Sequence, residues 1–567
     1  MGVETVKILA FLTFEGKRVV GCQDFRIFAP SIISHTSIMA TTHHPTRRWQ
    51  QLLLSLTLSL TALAAWAQGQ YTMDYQVDFD TKNHYLLVSL DYTATTPTTS
   101  SDLVLNMPVW APGYYQILDF PKHLCDFAAR TNDGQAIAWR KEGKNRWRVP
   151  LPPDGKLRVS YRIYANERDV ASSRVEPDIA FVAPCGVFMH VDGQLDHPST
   201  LTFRLPAGWT KVASGLKQDG WDNNEKELAA NGQAALTATF QVKDFDTLYD
   251  SPLLFGNFRL DKFFHDNRLY EFALETPEGV DELDLKGNFC KIVSAATQMM
   301  GHVPYTFYSL IHMGEGGGGL EHLNSQACYT DGTYRFASRR AEVKFLAFVA
   351  HEYFHLYNVK CIRPAELWPI NYNREAITPM LWVSEGLTCY YEFRLLRRAG
   401  IATPDEALEL ISTYYSLYAP YEGQRHQSLR ASSYDIWLNF MNHDANSRDV
   451  RINYYFKGPM VGLLLDIDIR RKTRQQHSLD DVMRLLYQRY YQELKRGFTE
   501  EEFWALCAEV AGSPLNEVRR AVDTTDDIDY DYWLHDAGLC IGDDHQIRRV
   551  ERPTKAQRAF LQAMELL

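Results

Sequence analysis

His351 and His355 stand four residues apart in AHEYFHLYNV, with Glu352 beside the first. On an α-helix this spacing projects both imidazoles from one face and leaves the carboxylate within reach of a water held there. Two imidazoles to hold a metal and an adjacent acid to work on its water are the HExxH arrangement of a zinc hydrolase. The five residues say little alone; their setting says more. Residues Ala341 to Val359 contain no Pro or Gly and are mostly apolar, which predicts a helix inside a large core. Polar side chains on such a segment need a partner, and a metal ion supplies one.

A zinc site that keeps one position open for water needs a third protein ligand. Glu385, in LWVSEGLTCYYE, comes after a stretch long enough for a loop and a returning helix. It is the leading candidate, with Glu392 and Glu375 as alternatives: Glu375 precedes the predicted helix, and Glu392 lies on a shifted face. One zinc ion per chain is expected. Upstream, GEGGGGLEHLNSQACY (Gly314 to Tyr329) follows a predicted strand at Tyr305 to Met313. Consecutive glycines let a backbone run close to a ligand with its amides exposed. The Lys-Ser/Thr ending of a phosphate loop is missing. The stretch predicts an edge strand that binds an extended peptide beside the metal, with Gly318 and Gly319 against the peptide and Glu321 receiving a charged amine.

The rest of the chain must position these groups. From Tyr71 to about Asn257, short alternating runs such as YTMDYQVDF, HYLLVSLDYTA, KLRVSYRIYA and ALTATFQV are separated by turn residues. They predict an all-β, sandwich-like domain over residues 68–257. Within it, NMPVWAPGYYQILDF (Asn106 to Phe120) is too rich in Pro and aromatics for a plain strand. It is either a rigid local turn or a loop reaching toward the next domain. A linker is expected from Asp250. Residues 258–402 read as an α/β catalytic domain, and residues 403–567 as helical, with a Ser-x-x-Asp helix start at Ser478 and a Thr cap at Thr499.

The chain has 567 residues, and its formal charge of -11 with no long basic tract excludes a nucleic-acid surface. Arg47 and Arg48, the apolar run Leu52 to Ala65 and Ala65-Trp66-Ala67 predict a secretory signal peptide over residues 39–67, behind a misassigned leader at 1–38. The apolar run is shorter than the roughly 20 residues a membrane span needs. No stable membrane insertion is therefore expected once the signal is removed, and the mature chain is expected in a bacterial periplasm or outside the cell. Eight cysteines follow the signal, too sparse for a disulfide scaffold, with one or two bridges allowed.

HEYFHLYNVKCIRP, LWVSEGLTCYY, GGGLEH, MPVWAPGYY and YYFKGPMVGLLLDIDIR together resemble the glycyl aminopeptidase family of zinc metallopeptidases. The resemblance spans roughly Tyr71 to Cys540 and implies an N-terminal β domain, a thermolysin-like catalytic domain and a C-terminal helical domain. It assigns His351, His355 and Glu385 to zinc, Glu352 to the general base, and Glu321 to the free α-amine of a peptide substrate. It also implies that Tyr455 supports the tetrahedral intermediate, with Tyr454 the neighbouring alternative. The implied activity is removal of small N-terminal residues, Gly or Ala, from peptides. A zinc endopeptidase, an inert peptide-binding protein with the same fold, and hydrolysis of a non-peptide substrate are the competing functions. Two departures stand out: Cys361 occupies a position where the family commonly has Arg, and 27 residues after Cys540 are too few for the PDZ domain many relatives carry.

Overall fold

The computed structural model describes residues 71–94, 102–216, 236–330, 332–439 and 444–567. The expected leader (1–38) and signal peptide (39–67) lie outside the described residues. The β-rich region holds a seven-stranded sheet in which Tyr71–Asp80, Tyr85–Ala94 and Lys156–Tyr164 are neighbours. Their residues alternate between buried and partly exposed, as a sheet with one covered face requires. Two four-stranded sheets complete the region. The expected linker after Asp250 is instead a strand, Leu253–Gly256, paired on both sides by Ile179–Val182 and Lys211–Ser214. Its continuous apolar run is fully buried, which is how a strand covered on both faces reads.

A five-stranded sheet forms the central region. Its strands are β1 (Arg259–His265), β2 (Arg268–Leu274), β3 (Phe307–Met313), β4 (Gly319–Glu321) and β5 (Ser325–Tyr329), in the order β1-β2-β3-β5-β4. Both faces are covered. Ala273, Ile311 and Met313 join the apolar core of the β region, while Tyr270, Phe272, Tyr308 and Leu310 face the helices. The short strand β4 lies at the sheet edge, antiparallel to β5, as the glycine-rich stretch predicts.

Five helices bear on the site: α1 (Leu285–Met300), α2 (Arg339–Phe354), α3 (Leu387–Arg398), α4 (Pro404–Tyr418) and α5 (Tyr454–Lys472). Central and C-terminal helices share one apolar core. The region after α5 is mostly helical and closes with a small hairpin and a last helix, Lys555–Ala563. All eight described cysteines are free thiols, so the allowed bridges are not formed among the described residues. Among the described residues no helix is long and apolar enough to cross a membrane.

Asp250 ties the regions together. Its Oδ1 accepts from Lys360 Nζ at 2.6 Å and lies 3.1 Å from His322 Nδ1, and its Oδ2 accepts from the Leu323 amide at 2.9 Å. Burial alone would raise the Asp250 carboxyl, but Lys360 and His322 outweigh it and bring it down to about 2. Asp250→Asn leaves the Lys360 charge without its counter-ion and is expected to lower unfolding free energy by about 3–5 kcal/mol, measured by urea denaturation. Because the folded carboxyl titrates below its ordinary 3.8, the difference from wild type should be complete above that pH and should shrink as pH falls toward 2.

Candidate active site

Helix α2 starts at Ser338, whose Oγ accepts from the Ala341 amide at 3.2 Å, and delivers His351 and Glu352 in its last turn. It ends sooner than the apolar run predicts. His355 is its C-cap, and a turn follows in which the amides of Val359 and Lys360 both donate to the His355 carbonyl. The turn has a purpose: it brings the Asn358 carbonyl within 2.7 Å of His355 Nδ1, which must donate to it. That bond fixes the tautomer and leaves the Nε2 lone pair facing the site.

Glu385 sits in a π-helical turn, Trp382–Gly386, that opens into α3. The Asn358 side-chain amide donates to the carbonyls of Val383 and Ser384 at 2.8 and 3.1 Å, holding that turn against the end of α2. As a result three ligand atoms converge. His351 Nε2 and His355 Nε2 are 3.0 Å apart, and Glu385 Oε2 lies 3.2 Å from His355 Nε2 and 3.8 Å from His351 Nε2. Ligands about 2.0–2.2 Å from a tetrahedral zinc stand roughly 3.3–3.5 Å apart, so this buried two-His, one-Glu set fits the ion.

A second cluster, His351, Cys389 and Glu392, also has metal-ligand chemistry. Glu392 Oε2 faces His351 Nδ1 at 3.4 Å, Glu392 Oε1 accepts from Tyr414 at 2.6 Å, and Cys389 Sγ is 3.7 Å from the same Nδ1. The carboxylate is thus on the far ring nitrogen, where a metal-binding histidine finds its orienting partner. Glu375 is exposed in a loop and belongs to neither cluster.

The acids and glycines meet closely. Glu352 is buried with Oε2 unpartnered, and burial pushes its carboxyl up to about 7 against the pull of His351 and His355. Gly319 lies against it: a Cβ there would stand 2.2 Å from Glu352 Oε1. Gly318, at φ +86°, precedes it and accepts from the Tyr329 amide. Glu321 is buried, with Oε1 unpartnered, and its carboxylate touches Gly113, where a Cβ would be 2.6 Å from that oxygen. Tyr455 lines a cleft of about 580 Å³ with Gly319, His351, Glu352 and Glu392, while Tyr454 is fully buried and stacks on it at 4.8 Å. A close Gly386–Gly458 contact brings the start of α5 beside Glu385. Burial, then Glu385, raises both phenols well above their usual range, so both remain donors. A larger cavity of about 680 Å³, lined by Asp250, His302 and Lys360 among others, contains none of the metal candidates.

The Peptidase M61 N-terminal domain model matches residues 74–257, and the M61 glycyl aminopeptidase model matches residues 344–461, together a little over half of the chain. The chain belongs to the M61 family. Its fold resembles that of an aminopeptidase N family protein from Idiomarina loihiensis, with a TM-score of 0.74 and 25% identity over 83% of this chain and 79% of that one. An M1 zinc metallopeptidase from Deinococcus radiodurans shares the fold at a TM-score of 0.50 and 15% identity, over 81% of this chain and 94% of that one. No curated protein sequence matches significantly. With the metal-ligand clusters, the M61 membership makes this chain a zinc metallopeptidase of the aminopeptidase kind.

The metal candidates His351, His355 and Glu385, with Glu352, Glu392, Gly319 and Tyr455, come together here, and Glu375 does not join them. The sequence gives no role to Asn358 and Tyr115, although both stand inside motifs named above, and it reads Asp250 only as the start of a linker; the structure puts Asn358 and Tyr115 against the site and Asp250 between Lys360 and His322. The loop at Asn106 to Phe120 had been open between two readings, and it is the one reaching out: the Tyr115 hydroxyl donates to Glu385 Oε1 at 2.9 Å. Gly319→Ala tests the tight contact with Glu352. It should displace that carboxylate and cut kcat/KM by about 100-fold while the bound metal, measured by elemental analysis, stays near wild type.

Proposed function

We propose that this enzyme removes a small N-terminal residue, Gly or Ala, from peptides, using one zinc ion held by His351, His355 and Glu385. The observation that carries the reading is the buried Glu321 carboxylate, with Oε1 unpartnered, on the same sheet edge as Gly319 and its contact with Glu352. A buried acid lacking a partner is poised for a cation, and the α-ammonium of a peptide is that cation. Beside Glu321 lies a cavity of about 30 Å³ lined by Trp110, Tyr115, Leu367 and Ile370 together with Lys360 and Arg363. The space is small, which favours a small first residue, whereas the cleft on the Tyr455 side, about 580 Å³, is open enough for the rest of a peptide.

Zinc, when bound, lowers the pKa of a water and polarises a carbonyl. Glu352 takes the proton of the attacking water and gives it to the leaving amine. Tyr455 donates to the oxygen that becomes negative, a contact worth about 2.7–4 kcal/mol where comparable donors have been removed, with Tyr454 the second candidate. Gly318 and Gly319 lay the backbone of β4 along the substrate main chain, as in β-augmentation. Glu392 serves as orienting partner of His351 rather than as a ligand. Export to the periplasm or beyond belongs to the same proposal and rests on residues 39–67 of the sequence.

The test is a panel of Gly-, Ala-, Leu- and Arg-anilides beside N-acetyl-Ala-anilide and an internally quenched peptide. Cleavage restricted to free-amine substrates, fastest for Gly and Ala, is expected. Glu352→Gln should be inactive with its zinc retained, and Glu321→Gln should lose roughly 10- to 100-fold in kcat/KM on free-amine substrates. Efficient cleavage of the acetylated or internal substrate would make the enzyme an endopeptidase. Silence on all of them with zinc bound would make it a binding protein.

A further inference from the structure

One loop of the β region reaches into the core around the catalytic helices. Met107, Val109 and Trp110 pack in the core of the β region, whereas Tyr115, six residues after Val109 in the same loop, belongs to the core around the helices. The loop is held in place by three bonds at its base: Val109 N to Tyr372 O at 2.9 Å, Trp110 Nε1 to Asn371 O at 2.8 Å, and Leu118 N to Val109 O at 2.8 Å. Trp437 packs edge-on against both rings, 5.1 Å from Trp110 and 6.3 Å from Tyr115. Gly113, at φ +96°, lets the loop pass the Glu321 carboxylate. Tyr115 is 1% exposed, and its hydroxyl donates to Glu385 Oε1.

The two oxygens of Glu385 therefore have different partners. Oε2 faces the two histidine nitrogens, and Oε1 accepts from Tyr115. We propose that Tyr115 is a positioning residue for the metal centre: by occupying Oε1 it fixes which oxygen Glu385 presents to the ion, so that zinc retention depends on a loop of the β region. The inference rests on zinc lying at His351, His355 and Glu385. Partners of this outer kind typically set metal affinity by 10- to 100-fold.

The experiment compares full-length Tyr115→Phe with Tyr114→Phe, whose hydroxyl donates to Asp169 Oδ2 at 2.9 Å and which loses the same atom from the same loop. Zinc affinity is measured by chelator competition, and the ligand field by the visible spectrum of the cobalt-substituted proteins. Tyr115→Phe should bind zinc about 10- to 100-fold more weakly and shift the cobalt bands, with Tyr114→Phe within twofold of wild type and spectrally unchanged. Zinc affinity of Tyr115→Phe within twofold of wild type would overturn the proposal. So would equal weakening in both variants, which would mean a loosened loop, or lost activity with unchanged affinity and spectrum, which would put Tyr115 in the reaction itself. A Glu385→Gln control that keeps full zinc affinity would instead sink the site assignment beneath it.

Discussion

Asn358 carries more of this structure than its position in the chain suggests. Its carbonyl accepts the hydrogen bond from His355 Nδ1–H, and its side-chain amide reaches Val383 O, Ser384 O and Thr388 Oγ1. One buried residue thus sets both the orientation of a histidine and the placement of the turn bearing Glu385. Such a network has high stakes in an apolar interior, where each unsatisfied group costs roughly 1–3 kcal/mol. Its Nδ2 is fully engaged while its Oδ1 stays buried without a partner, and the Nδ2 bonds alone hold the turn of Glu385 against the end of α2, so that two segments remote in sequence offer their polar atoms to one point.

Around that point the chain removes side chains where acids need room. Gly319 faces Glu352, Gly113 faces Glu321, and Gly386 meets Gly458 where α5 crosses the turn of Glu385. Each contact is closer than any Cβ would tolerate. The three carboxylates nonetheless differ in surroundings: Glu385 is engaged by two histidines and a tyrosine, while Glu352 and Glu321 each keep a buried oxygen without a partner. That difference separates an acid suited to holding an ion from acids left free to take a proton or a cation.

Much of this was legible in the sequence. His351, Glu352 and His355 are a local pattern on an apolar helix, the glycines before Glu321 announce an edge strand, and alternation over residues 71–94 and 156–164 gives the large β-sheet. What was not legible is long-range. Tyr115 meets Glu385 across the whole β region, and Asp250 sits in a stretch that reads as a linker because its partners Lys360 and His322 are far along the chain. Even the end of α2 misled, since the apolar run continues to Val359 while the hydrogen bond to Asn358 stops the helix at His355. Periodicity describes which face is buried; it does not describe which carbonyl a histidine needs.

The central claim is that a single ion sits between His351, His355 and Glu385 rather than at the neighbouring Cys389 and Glu392. X-ray absorption fine structure on protein loaded with one equivalent of zinc tests it most directly. The account predicts two imidazole nitrogens and oxygen ligands at about 2.0–2.2 Å and no sulfur. A zinc–sulfur distance of about 2.3 Å would put Cys389 in the inner shell and contradict it.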